Sequence, residues 1–403
     1  MDEKLRDVVI LGGGAAGWLV AGLLAAEHGG PGGPLRITLV ESPSTPPIGV
    51  GEGTWPSMRD TLRRIGIAEA DLIRECDASF KQGSRFVGWA QGRGEHYHHP
   101  FTLPTGFGDA DVTGAWLATQ PGRPFAHVVC PQPQVADAGL APKQAATPAY
   151  AAVANYAYHF DAGKFGQLLR RHAVQNLGVR HILDDVDGVV GAPDGSIAAL
   201  RTRLTGELAA DLFIDCSGLP SRLIGQHFGV PLVGQRDVLF NDAALAVQLP
   251  YARPDQPLPS TTVATAWRHG WIWDIALPSR RGVGAVYSSR HATQDEATDA
   301  LLTYLHATGA PADPPAPRPI AFTPGYRERF WVRNCVAIGL SSGFIEPLEA
   351  SALALVELGV QWISDVLPAR RDALPTLARR FNEVFSYRWA RVIDFLKLHY
   401  ALS

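Results

Sequence analysis

Apolar residues run from Val8 to Leu11, stop at three glycines and resume from Trp18 to Glu27. A short apolar block predicts a buried strand and the longer one a buried helix, with the glycines as the turn between them. Leu35 to Val40 is a second such strand, closed by Glu41. Ala209 to Gly218 and Asn334 to Gly343 are two further strands that end at glycine. Helical periodicity covers Ser57–Ile65, Gly163–Asn176, Ala350–Leu358 and Pro375–Tyr400, where Phe381, Phe385, Trp389, Ile393, Leu396 and Tyr400 recur every three to four residues. Strand patterns cover Ser84–Ala90, Val179–Leu183, Val186–Val190, Ile197–Arg203, Leu208–Ile214, Asp237–Leu249 and Thr261–Ser288. Residues 106–150, rich in Gly, Pro and Ala, predict a long loop, and 311–319 a connector.

These blocks predict an α/β protein: a Rossmann-like dinucleotide domain, discontinuous over 1–75, 150–230 and 320–365, with an inserted mixed sheet and C-terminal helices. The remaining segments, 76–149, 231–319 and 366–403, form the substrate region. The first turn, Gly12-Gly13-Gly14-Ala15-Ala16-Gly17, is G-x-G-x-x-G in its proper setting, between strand and helix. Glycine there permits a tight turn, lets a pyrophosphate approach the backbone, and allows helix and strand to pack closely. Glu41 can accept hydrogen bonds from an adenosine ribose. One fingerprint, a second glycine-rich loop at 49–53 and three strand-to-glycine crossings favour FAD over NAD.

Composition narrows the class. The 403 residues are 46% hydrophobic and 19% charged, with 36 basic and 39 acidic side chains and a formal charge of −3. No basic run interleaved with aromatics marks a nucleic-acid surface, so nucleic acid is not an expected partner. Asp2, Glu3 and Asp7 and the glycine cluster rule out a signal peptide or membrane span in the first 26 residues, so no membrane is expected. Four scattered cysteines suit a reducing cytoplasm.

Chemistry concentrates elsewhere. Glu346 and Glu349 flank Pro347 ahead of a helix, so Glu349 is either a helix cap or a functional carboxylate at a positive helix end. Lys81 lies between Phe80 and a strand carrying Phe86 and Trp89; burial there would lower its pKa toward a reactive amine. Trp271 and Trp273 share one face of a strand, as core or as an aromatic wall. His96, His98 and His99 invite a metal reading, but no Asp, Glu or Cys joins them at a recognisable spacing, so no metal is expected.

Taken together, GGGAAGW at 12–18, GVGEGTWP at 49–56, FK at 80–81, FVGW at 86–89, HPF at 99–101, YHFDA at 158–162, FIDCSG at 213–218, GWIW at 270–273 and FIEPLEAS at 344–351 resemble the flavin-dependent tryptophan halogenases. The resemblance spans the whole chain. It implies FAD, supplied reduced by a separate NAD(P)H-dependent flavin reductase, which with oxygen and a halide, chloride or bromide, makes hypohalous acid. Lys81 would receive that oxidant and Glu349 would polarise it or take the arene's proton, making these two the catalytic residues. On the matching positions FAD would be held by Gly12, Gly14, Ala15, Ala16, Gly17, Glu41, Gly51, Asp215, Gly218, Gly339 and Ile345, and halide near Ser351 and Ala352. An aromatic substrate would meet His99, Pro100, Phe101, Trp271, Trp273 and Glu346.

The match departs from the family at Ala276, usually proline, and at Glu-Ala-Ser in 349–351, usually Glu-Ser-Thr. Tryptophan-specific members continue beyond the element matching Asp394–Tyr400, so the expected substrate is an indole derivative or peptide rather than free tryptophan, or the site is completed by a second subunit in a homodimer. Rival readings are a hydroxylating or epoxidising FAD monooxygenase and a flavin-binding protein without catalysis.

Overall fold

The computed structural model describes residues 4–30, 32–45, 51–92, 94–251, 253 and 255–403. Gly49 and Val50, in the second glycine-rich loop, lie outside the described residues. A six-stranded sheet is assembled from segments far apart in sequence, in the order Trp331–Val332, Cys335–Ala337, Leu212–Asp215, Asp7–Leu11, Arg36–Glu41, Arg180–Leu183. All its pairs are parallel except the one at the Trp331 edge. Its strands are buried on both faces, which is why they read as continuous apolar runs rather than alternating ones. Val8, Ile10, Leu39, Ile214 and Val336 pack with Trp18, Leu19 and Leu23 of the helix Ala15–His28. Val9, Leu11, Val40, Phe213 and Ala337 face the other way, against Leu200 of a small antiparallel sheet and Leu223.

The second large sheet has seven strands: Arg318–Ala321, Ala243–Pro250, Arg280–Tyr287, Gly270–Ala276, Thr262–Trp267, Gly83–Val87 and, at the far edge, His96–Pro100. Strand alternation divides it cleanly. Ile272, Leu245 and Val283 meet the helix Gln294–Ala307, which Thr293 and Glu296 start with a reciprocal capping box. Trp271, Ala264 and Phe86 turn instead to the main core. A three-stranded sheet of Gly51–Gly53, Ala157–Asp161 and Ser79–Lys81 joins the two regions, with Gly53 opposite His159 and Lys81 opposite Ala157. The C-terminal helix, Leu374–Ala401, buries the aromatic stripe that its periodicity predicts. Among the described residues no helix is long and apolar enough to cross a membrane.

Several local expectations are corrected. Residues 106–150 are not a plain loop but hold three short helices, Val112–Thr119, Phe125–Val129 and Gln132–Asp137. The first buries no residue, so it carries no apolar stripe to read; Asp111 starts it by accepting from the Gly114 amide at 2.8 Å. The run 208–214 breaks at Ala210-Asp211, because Asp211 Oδ2 accepts from the amides of Arg6 and Asp7. The strand expected from Asp237 begins only at Ala243, since Asp242 turns its carboxylate to Ser289. The stretch 261–288 resolves into three strands, and the helix after Glu349 runs to Val366, past Leu358.

Candidate active site

The glycine turn is shaped by what a side chain would strike. Gly12 has φ +119°, and a Cβ on it would lie 2.2 Å from the Cys216 carbonyl oxygen; one on Gly17 would lie 1.9 Å from the Gly12 carbonyl oxygen. Those two positions demand glycine. A Cβ on Gly14 would meet nothing, and the helix that starts at Ala15 has no side-chain cap, so its first turn has no side-chain acceptor. That is the cradle an anionic pyrophosphate requires. Gly339, at φ +78°, would clash with Ala16 if it carried a Cβ, so the third crossing also closes on this turn. Glu41, beside Gly13, hydrogen-bonds His181 at 3.0 Å. Gly218 keeps a left-handed conformation at φ +77°, Gly51 pairs with Asp161, and Ile345 is buried.

Asp215, expected at the cofactor, is fully buried. Its Oδ1 accepts from the amide and hydroxyl of Ser217, and its Oδ2 from the amides of Leu223 and Ile224. The carboxylate therefore organises its own turn.

Lys81 ends its strand only 1% exposed. A Cβ on Gly53 would lie 3.1 Å from Lys81 Nζ, 3.4 Å from Ala350 Cβ and 3.6 Å from the His159 ring, so these groups converge where glycine leaves room. Phe101 places its ring centroid 5.5 Å from Nζ. Burial pushes the Lys81 ammonium down to about 8, opposed by the charge of Glu349. Burial first, then the charge of Lys81, holds His159 well below the ordinary imidazole range. Its Nε2 is 2.8 Å from Thr262 Oγ1.

Glu349 does not cap the following helix. That helix, Ser351–Val366, has no side-chain cap; Ala350 enters it at φ 55°, ψ 38°, a left-handed conformation uncommon for alanine. This kink leaves the amides of Ser351 and Ala352 at the open helix end and turns the Glu349 side chain away. Oε1 meets His99 Nδ1 at 2.8 Å and His399 Nε2 at 3.5 Å, and Oε2 accepts from Ser84 Oγ at 3.1 Å. Trp55 Nε1 donates to the Glu349 carbonyl at 2.7 Å. Although burial alone would raise its pKa, bonds to His399 and His99 and the charges of His99 and Lys81 bring the carboxyl down to about 2. The bond to Glu349 raises the pKa of His99 against its own burial.

The remaining substrate candidates divide. His99, Pro100 and Phe101 lie along the edge strand and its end, with half of the His99 side chain exposed. Trp271 and Glu346 do not line an open surface. Glu346 Oε2 accepts from Trp271 Nε1 at 2.7 Å, Asn241 Nδ2 at 2.6 Å and the Tyr400 hydroxyl at 2.6 Å, in a node that is almost fully buried. Burial raises the Glu346 pKa, against the lowering effect of its hydrogen bonds from Tyr400, Asn241 and Trp271. Trp273 remains partly exposed and rests on Gly284, where a Cβ would strike its ring.

Ser84, His159, Asn241, His399 and Tyr400 were not among the sequence candidates. Tyr400 was visible only as a member of an aromatic stripe and His159 only within the YHFDA motif, and the other three carry no local signal.

A model of the tryptophan halogenase family matches residues 7–403. The tryptophan 7-halogenase RebH of Lentzea aerocolonigenes is 34% identical over 420 residues, an alignment covering all of this chain and 77% of that enzyme. The crystal structure of a tryptophan halogenase from Shewanella frigidimarina superposes with a TM-score of 0.96 at 49% identity, over 100% of this chain and 78% of that one. BrvH, a flavin-dependent halogenase from Brevundimonas, superposes with a TM-score of 0.86 at 35% identity, over 99% and 79%.

Proposed function

Because the chain belongs to the tryptophan halogenase family, we propose that Lys81 and Glu349 are the catalytic pair of this flavin-dependent halogenase, which acts on an indole-type aromatic substrate. The observation that carries the assignment is the buried Lys81 amine, brought to about 8 beside the Glu349 turn. Reduced FAD, delivered by a separate flavin reductase and bound with oxygen and chloride or bromide, supplies hypohalous acid. The open Gly14 turn fits its pyrophosphate, and the Ser351 and Ala352 amides suit a halide.

An amine with a pKa near 8 is partly neutral at physiological pH. Its lone pair can take the halogen from hypohalous acid, forming an N–halogen bond and releasing water once the amine proton leaves; alternatively, its ammonium form can hydrogen-bond the oxidant. The arene's electrons then attack the halogen, and the ring carbon must lose a proton. A carboxylate at about 2 is a weak base, but a protonated arene is a far stronger acid, so Glu349 can stabilise the cation and accept its proton. His99 and Phe101 offer aromatic surface beside both groups. Trp273 supports a barrier that keeps the substrate away from the flavin.

The test combines purified protein, FAD, a flavin reductase, NADH and bromide or chloride with an electron-rich indole, read by mass spectrometry. Halogenated product from wild type that vanishes in Lys81→Ala is the expected result. Oxygenated product indifferent to halide, or halogenation that survives the substitution, would overturn the assignment.

A further inference from the structure

The halogenation site uses one of the three histidines in His96-Tyr97-His98-His99. Side chains alternate across a strand, so His99 points to Glu349 while His96 and His98 share the opposite face. On that face lie two of the short helices, Phe125–Val129 with His127 and Gln132–Asp137 with Asp137 at its end. His98 Nε2 is 3.0 Å from Asp137 Oδ1, and His127 Nε2 is 2.9 Å from Asp137 Oδ2. Ligand atoms of His96, His98 and Asp137 all lie within 4.8 Å of one another. The acidic partner missing from the local spacing is thus supplied from about 40 residues away along the sequence.

We propose that His96, His98 and Asp137 bind one divalent transition cation of the zinc class, with His127 holding the second carboxylate oxygen. Two imidazoles and a carboxylate are a borderline-soft donor set, suited to zinc rather than to the all-oxygen shells of magnesium or calcium. At metal–ligand distances of ~2.0–2.1 Å, adjacent ligands on a tetrahedron are separated by about 3.3 Å. The 3.0 Å between His98 Nε2 and Asp137 Oδ1 is already close to that edge, so the ion would take the place of the hydrogen they share. A fourth position remains for water. His127 on the outer carboxylate oxygen is the orienting contact that metal carboxylates commonly have. Arg85, opposite His98 on the adjoining strand, is the cation facing this cluster. It opposes metal charge and sets a moderate rather than extreme affinity.

Such an ion would pin the helices of the 106–150 segment to the sheet's edge strand, whose other face carries His99. Loading it would therefore stiffen the site without taking part in halogen transfer. This proposal does not depend on the roles assigned to Lys81 and Glu349.

The test uses the full chain, stripped with chelator and dialysed, then titrated with Co²⁺ as a spectroscopic probe. One Co²⁺ per chain with visible absorption of a four- or five-coordinate site, displaced by one Zn²⁺, is expected, together with a rise in Tm on Zn²⁺ addition. His96→Gln, at a half-buried position, and Asp137→Asn, which keeps the side-chain shape, should each weaken Co²⁺ binding at least ~10-fold while circular dichroism stays that of wild type. His306→Gln, remote from the cluster, should leave it unchanged. Absence of stoichiometric binding, or equal binding by wild type and both cluster variants, would overturn the proposal and leave a hydrogen-bonded His98–Asp137–His127 chain.

Discussion

Replacing Lys81 by methionine should make the protein more stable and inactive at once. The side chain is 1% exposed, and its ammonium form is disfavoured by burial, so its pKa falls from 10.5 to about 8 even with Glu349 pulling it back. In the unfolded chain the amine holds its proton up to its ordinary value; in the folded protein it releases it near 8. Between those values the unfolded state carries more protons, so this group's contribution to stability rises with pH across the window and is least favourable below 8. The difference corresponds to a penalty of about 3 kcal/mol at pH 7. Methionine keeps the unbranched shape and most of the length without the charge, and such nearly volume-conserving changes are well tolerated. Urea unfolding of Lys81→Met at pH 7 should show about 2–3 kcal/mol of added stability, narrowing markedly at pH 10, with no halogenated product at either pH. A stability gap that is absent at pH 7, or that does not change with pH, would mean the ammonium is solvated and would refute the reasoning.

Two further substitutions probe the surroundings. Glu357 is fully buried, hydrogen-bonded by Thr61 at 2.7 Å, and burial with the charge of Asp60 pushes its carboxyl up to about 8. Here the folded state holds the extra proton, so wild type should lose stability relative to Glu357→Gln as pH rises from 4.5 to 8, by up to about 4–5 kcal/mol; a flat difference over that range would contradict the burial argument. His399→Phe keeps a ring on Phe86 but removes the contact to Glu349 Oε1. Turnover should fall about tenfold with little change in KM, short of the ~10²–10⁴ expected for losing a positioned proton acceptor itself; unchanged kcat would remove His399 from the site.

Much of this protein was legible along the chain because the relevant rules are local. A strand followed by glycines and a helix announces the dinucleotide turn, and the sterics at Gly12 and Gly17 are the reason no other residue serves there. The four-residue spacing of Phe381, Phe385 and Trp389 announced the C-terminal helix, and the motifs around Lys81 and Glu349 announced the family. What the chain could not announce was pairing between distant residues. Glu349 meets Ser84 and His99 across 265 and 250 positions, and that meeting depends on how the Lys81 strand, the edge strand and the Ala350 kink are packed. Glu346, expected at the substrate, sits in a buried node, because Asn241, Trp271 and Tyr400 reach it only in the folded state. The histidine run lacked an acidic ligand until two short helices, too poor in buried residues to be read as helices, brought Asp137 and His127 to its face. Periodicity and turn chemistry are encoded within a few residues and survive in the sequence alone; burial, pKa and partnership arise from contacts across the fold, and only the tertiary structure decides them.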